Sequence, residues 1–270
     1  MKRRFIVLVD FSDHSGRLLV FAHSWAKSTG AELLLMHQSA EPVPVLGESE
    51  VVERMKHDQA LQAADKLQDF ALTTIGHDHS AKYHATSSPI APAIERLADV
   101  NITDYVFAGI NDKPAIERIF TGDTTARLSE DLENIIIALP AARHGISVHE
   151  LYVAVKAKYP VNEKALNDLI EIKGGIIDRV KFFSVLPAKT VESATEAYLE
   201  RLCENHRPRI DTSYSIISDD DPVQASIGLM NRNQGMLALQ KGPRGFADMF
   251  RKFFTTEMVR QSRVPIIILP

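Results

Sequence analysis

Thr124-Thr125, a helical stretch and Ile135-Ile136-Ile137-Ala138-Leu139-Pro140 close the first half of this chain, and Thr255-Thr256, a helical stretch and Ile266-Ile267-Ile268-Leu269-Pro270 close the second. Helix, isoleucine-rich strand and Leu-Pro recur in the same order, with the register offset by one residue. Such self-similarity at long period marks an internal duplication, and it decides the fold before any single motif does. The chain reads as two copies of one α/β unit.

Working back from the first terminus, Arg4 to Val9 reads as a strand, continuously apolar from Phe5, the pattern of a strand buried on both faces. Ser12 to Gly30 follows with Leu18, Leu19, Phe21, Ala22, Trp25 and Ala26 at helical spacing, and Gly30 is placed to end that helix. Glu32 to His37 predicts a second strand, Ser49 to Ile75 a long helix and Ala81 to Ser87 a third strand. Pro89 to Val100 predicts a helix with proline in its first turn, and Asp104 to Ala108 a fourth strand. A helix from Gly122 to Asp131 leads into the Ile135 to Leu139 strand. The second half repeats the order, with strands at Glu150 to Val155, Arg179 to Val185, Asp211 to Ile217, Met236 to Leu239 and Ile266 to Leu269. Strict alternation of strand and helix implies a parallel sheet with helices on both faces. The segment Ala141 to Val148 is the linker, dividing the chain into units 1–142 and 143–270.

Composition agrees with two ordinary cores. The chain has 270 residues, 45% hydrophobic and 24% charged, which suits two domains better than one. A net charge of -4 gives no basic footprint for nucleic acid, which is not expected as a partner. Phe5 to Val9 is an apolar run of only five residues before Asp10, a strand and not a signal segment. No stretch reaches membrane-spanning length. The single cysteine, Cys203, forms no internal disulfide and fits a reducing cytoplasm.

Three segments together resemble the universal stress protein family, in its tandem form and over essentially the whole chain. They are Phe5-Ile6-Val7-Leu8-Val9-Asp10-Phe11-Ser12, Thr29-Gly30-Ala31-Glu32-Leu33 through His37, and Asp104-Tyr105-Val106-Phe107-Ala108-Gly109. The resemblance implies two tandem doubly wound, Rossmann-like parallel sheets of five strands, order 3-2-1-4-5, of the adenine nucleotide alpha hydrolase-like type. It also implies that the two fifth strands, Ile135 to Leu139 and Ile266 to Leu269, meet across a pseudo-two-fold interface, so that one chain mimics a homodimer. Association of two whole chains and an unknown protein partner are further expectations.

The family's ATP-binding members carry Gly, two residues, Gly, nine residues, then Gly with Ser or Thr. Glycines let backbone N–H groups approach phosphate, and a helix start adds partial positive charge. Here the corresponding run is Gly109, two residues, Asp112, nine residues, Gly122 and Asp123, followed by Thr124. Aspartate lacks glycine's freedom at positive φ, and its carboxylate faces a polyanion. Unit charges ~4 Å apart repel by roughly 4 kcal/mol at an effective dielectric of about 20. That equals the difference between millimolar and micromolar binding, about 4 kcal/mol. Lys113 and Arg118 are the nearby bases, and magnesium bridging Asp112 or Asp123 to phosphate is the route by which ATP would still bind. Asp10, with Phe11 and Ser12, either meets the adenine or ribose edge or caps the helix that follows or a turn. His37-Gln38 stands where the family places a small apolar residue near adenine.

The second copy departs further. Lys156 replaces the strand-end aspartate, and the loop becomes Gln240, two residues, Pro243, nine residues, Phe253 and Phe254. Proline offers phosphate no N–H. Lys241, Arg244, Arg251 and Lys252 read as a solvated face. Elsewhere, Gly76-His77-Asp78-His79 with His84 has no standard metal spacing and reads as a polar turn. His23 reads as a partly buried structural histidine. Ser218-Asp219-Asp220-Asp221-Pro222 reads as a helix start. No nucleophile elbow, Walker lysine loop or Gly-x-Gly-x-x-Gly follows a strand. The expectation is a cytoplasmic stress-response binding or regulatory module, without a catalytic centre or ATP. The alternative is a nucleotide-binding protein using Asp10, Phe11, Ser12, Gly109, Asp112, Gly122, Asp123 and Thr124 of the first copy, with magnesium and slow ATP hydrolysis.

Overall fold

The computed structural model describes residues 2–39, 49–77, 80–110, 132–140, 149–156, 160–172, 177–187, 193–233, 235–241 and 264–270. The first half runs β1 (Lys2–Leu8), α1 (Asp13–Thr29), β2 (Glu32–Gln38), α2 (Ser49–Ile75), β3 (Ala81–Thr86), α3 (Ile90–Arg96), β4 (Ile102–Ile110) and β5 (Ile135–Pro140). The second runs β6 (Glu150–Ala154), α4 (Glu163–Ile170), β7 (Arg179–Leu186), α5 (Ser193–His206), β8 (Asp211–Ser218), α6 (Pro222–Asn233), β9 (Met236–Gln240) and β10 (Ile266–Leu269). The expected helix from Gly122 to Asp131 lies outside the described residues.

The strands form one ten-stranded sheet, β3-β2-β1-β4-β5-β10-β9-β6-β7-β8. Each half has the order 3-2-1-4-5, and its strands are parallel. Where the halves meet, β5 and β10 are antiparallel, with Ile266 opposite Ala138, Ile267 opposite Ile137 and Ile268 opposite Ile136. The two five-stranded units therefore share a single sheet.

Period-two alternation sends side chains to two cores, and each core spans both halves. On one face Phe5, Tyr105, Phe107, Ile137, Ile267, Leu151 and Phe182 pack beneath residues of α1, α2, α4 and α5. On the other face Ile6, Val106, Ile136, Ile266, Ile268 and Phe183 pack beneath α3 and α6. Trp25 of α1 is buried against this sheet, its ring 5.8 Å from both Phe5 and Phe107. Polar contacts also cross between halves. The Tyr105 hydroxyl donates to the Asp168 carbonyl at 2.9 Å, and the Arg3 guanidinium to the Glu171 carbonyl at 3.1 Å.

Local chemistry explains the element ends. Ser12 caps α1 by accepting from the Ser15 N–H at 3.2 Å, and Gly30 ends the helix at φ 67°, a conformation glycine adopts without cost. The helix expected to continue to Val100 stops at Arg96 instead. Asp99 accepts from the Asn101 N–H at 2.8 Å, an Asx turn that competes with helix continuation, and Val100 is left 91% exposed. β4 is longer at both ends than apolarity suggests because β1 and β5 pair with it on either side.

At the N-terminal end of the sheet, Arg4 and Asp104 face each other in register on β1 and β4. The guanidinium donates to both carboxylate oxygens at 2.7 Å through Nε and Nη2, and Nη2 also reaches the Leu97 carbonyl at 2.7 Å. Both residues are buried. The hydrogen bond to Asp104 outweighs burial and holds Arg4 above its ordinary pKa.

His206, the last residue of α5, is buried beside Phe182, and neither ring nitrogen has a partner among the described residues. Burial pushes its pKa below the ordinary 6.5. A base depressed in the folded state binds fewer protons there than in the unfolded chain, so stability is full above about 6.5 and falls as pH drops below it. The melting temperature is expected to fall more steeply between about pH 7 and pH 5 in the wild type than in His206→Leu. Parallel curves would show that His206 binds its proton equally well in the folded and the unfolded chain.

Candidate functional site

In a doubly wound sheet, ligands bind outside the carboxyl ends of the strands where the order reverses. For the first half that point lies between β1 and β4, and Asp10, Phe11, Ser12 and Gly109 sit there. Asp112, Gly122, Asp123 and Thr124 lie outside the described residues, as do Lys113 and Arg118.

Asp10 ends β1 as an acceptor for its own chain. Its Oδ1 takes the Ser12 N–H at 3.0 Å, the Ser12 hydroxyl at 2.5 Å and the Ser15 hydroxyl, and its own N–H donates to Ser15 Oγ at 3.0 Å. Burial raises the carboxyl's pKa, but these hydrogen bonds together outweigh it and hold the group below its ordinary value. These contacts make Asp10 the acceptor of a turn just ahead of α1, whose cap is Ser12. Phe11 follows at φ 62°, the left-handed region that a side chain rarely adopts, at a cost of order 1–3 kcal/mol. Its ring lies 4.5 Å from the His37 ring and 5.7 Å from Phe70. His37 Nδ1 in turn donates to the Val9 carbonyl at 2.7 Å, tying β2 to β1 beneath Phe11.

His14 is the residue that sequence reasoning missed. It lies in the first turn of α1, is 5% exposed, and donates from Nε2 to the Leu139 carbonyl of β5 at 2.9 Å, crossing the end of β4. Gly109 is the β4 residue it crosses. A Cβ there would stand 2.6 Å from His14 Cδ2 and 2.8 Å from Nε2. Gly109 is thus required by the packing of a neighbouring ring, whatever phosphate asks of it. Gly109→Ala is expected to cost about 1–3 kcal/mol by overpacking. In a His14→Ala background most of that cost should vanish, and a double-mutant cycle with no coupling would refute the contact.

The second half closes its corresponding point differently. Asn162 caps α4 through Oδ1 to the Ala165 N–H at 3.1 Å, and its Nδ2 donates to the Pro270 carbonyl at 2.9 Å. Gln240, at the end of β9, accepts the Asn162 N–H at 2.6 Å and donates to the Pro270 carbonyl at 2.7 Å. In both halves a residue at a helix start reaches across the fourth strand to a carbonyl at the end of the fifth. Pro243, Phe253, Phe254, Arg244, Arg251 and Lys252 lie outside the described residues.

No group of three His, Cys, Asp or Glu able to hold a metal is present among the described residues; Asp78 and His79 lie outside them. His23 is half-buried on α1. Asp221 accepts the Gln224 N–H at 3.0 Å and starts α6. Among the described residues no helix is long and apolar enough to cross a membrane.

A doubly wound α/β sheet with its switch point between β1 and β4, repeated in the second half, defines the class as a Rossmann-like fold. The universal stress protein family model matches residues 1–133, so the first half is a domain of that family. A universal stress protein from Archaeoglobus fulgidus is similar over 98% of this chain and 95% of its own, at 14% identity and a TM-score of 0.62. A functionally unknown protein from Pseudomonas aeruginosa matches over 99% and 92%, at 12% identity and TM-score 0.56. The cytoplasmic domain of a prokaryotic cation chloride cotransporter matches over 99% and 95%, at 11% identity and TM-score 0.57. At such identities these likenesses speak to fold. No curated protein matches the chain.

Proposed function

We propose that the chain is a cytoplasmic stress-response protein that works by binding and regulation, without turnover, and that neither half takes up ATP. The observation that supports this is that polar groups at both switch points are engaged within the protein. Asp10 is held by Ser12 and Ser15, and Asn162, Gln240 and Pro270 close the second half on themselves. Asp112 and Asp123 would add repulsion toward a polyphosphate. The halves would then stand to each other as the subunits of a homodimer do, with β5 and β10 as the seam.

The test is a thermal shift with ATP and magnesium. A ligand at about 100 times its Kd stabilises by about 2.7 kcal/mol, a shift that is easily read. We expect none at millimolar ATP. A magnesium-dependent rise would favour the second reading, for which the surviving Gly109 to Gly122 spacing speaks. In it Asp10, Phe11, Ser12, Gly109, Asp112, Gly122, Asp123 and Thr124 would hold the nucleotide, with a carboxylate sharing the metal.

A further inference from the structure

The ten-stranded sheet ends in two edges, β3 and β8, and they differ in chemistry. β3 carries Lys82, paired with Glu32 at 3.1 Å, and an edge lysine is a common guard against strand addition. β8 reads Asp211-Thr212-Ser213-Tyr214-Ser215-Ile216-Ile217-Ser218 over eight residues, with no lysine, arginine or proline. It keeps unbroken register with β7 from Arg179 opposite Asp211 to Leu186 opposite Ser218, so no bulge twists it away. No strand pairs with its other side among the described residues, and backbone groups on that side are open to a further ladder. Ile216 is 41% exposed.

Carboxylates outnumber bases around this edge, which also has Arg207 in the α5–β8 turn and Lys181 of β7 opposite Ser213. α5 lies along β8, since the Thr212 hydroxyl donates to the Cys203 carbonyl at 3.1 Å and the Tyr214 hydroxyl to Glu200 at 3.0 Å. Glu196 also acts electrostatically on the Tyr214 hydroxyl. Glu196, Glu200 and Glu204 are all exposed and, spaced at one helical turn, form a stripe parallel to the edge. Exposed Asp211 stands at one end of the strand and exposed Asp219, Asp220 and Asp221 follow the other. Two of the bases are engaged away from the strand. Arg209 is engaged with Glu171 at 3.2 Å and Asn167 at 2.8 Å, and Arg201 stacks 4.9 Å over the Tyr198 ring. A second copy of this chain would bring the same acidic stripe against the first, which disfavours self-pairing.

We propose that the outer edge of β8 accepts an extended, lysine- or arginine-bearing segment of another protein as an added strand. The backbone ladder supplies the affinity, and the glutamate stripe of α5 selects the charge. The probe is a synthetic octapeptide alternating lysine with valine, compared with its glutamate-for-lysine counterpart on the full chain. The lysine peptide should bind, slow amide hydrogen exchange within residues 211–218, and lose affinity as salt rises from about 0.05 to about 0.5 M. The glutamate peptide should not bind. Glu196→Gln with Glu204→Gln, which leaves the Glu200–Tyr214 contact in place, should weaken the lysine peptide about three- to tenfold at unchanged melting temperature. Failure to bind, equal binding of both peptides, binding that slows no amide in residues 211–218, or an unaffected double variant overturns the proposal. So does slowing of those amides by protein concentration alone, which would mean self-pairing.

Discussion

Ile267→Asp is expected to leave no cooperatively folded protein. Ile267 and Ile137 face each other where β10 meets β5, and both are fully buried. There the aspartate must take up a proton or be desolvated as an ion, and with the lost isoleucine packing the penalty reaches the range of about 5–15 kcal/mol by which a protein is ordinarily stable. Because the core on this face runs from Leu67 and Trp25 in one half to Leu166 and Leu199 in the other, the damage should not stop at one unit. Ile267→Ala offers a milder version, at about 2–5 kcal/mol. Combined with Ile137→Ala the losses should be non-additive, since the two side chains share one site. Denaturant unfolding followed by far-ultraviolet circular dichroism reads all three. Near wild-type midpoints, or a first half that stays folded in Ile267→Asp while the second melts, would show the halves to be independent.

Asp104→Ala is expected to be the second most damaging change, at about 3–5 kcal/mol. Removing one partner of a buried ion pair strands the other charge without compensation. Here the stranded group would be the Arg4 guanidinium, left with the Leu97 carbonyl alone. Replacing both, as Arg4→Met with Asp104→Leu, should recover much of the loss, because a buried pair often contributes little over apolar residues of similar size. A double variant as unstable as Asp104→Ala would mean that the pair fixes the β1–β4 register and does more than balance charge.

Much of the fold was legible because it rests on local and periodic signals. Apolar runs such as Phe5 to Val9 and Ile135 to Leu139 announce buried parallel strands, and Ser12 and Gly30 announce both ends of α1. The end of α3 was not legible, since the Asx turn at Asp99 competes with helix formation over a short range that periodicity averages away. At the site, the sequence points to Asp10, Ser12 and Gly109 and to a cap or turn role for Asp10, but not to the imidazole packed over Gly109. His14 lies 125 residues from the carbonyl it holds, and no spacing rule connects a helical first turn to the end of a distant strand. Likewise nothing in Asp10-Phe11-Ser12 signals that Phe11 takes φ 62°.

The sequence by itself determined the duplication, the element order and the family, because each follows from side-chain periodicity and from residues near one another in the chain. Only the tertiary structure decided that one sheet of ten strands carries both halves, that Gly109 is held to glycine by an imidazole, and that β8, an edge among the described residues, runs beside an acidic helix. Those outcomes depend on which strand ends and helix faces come within a few ångströms of each other. That is set by packing two half-cores together, and no stretch of chain encodes it locally.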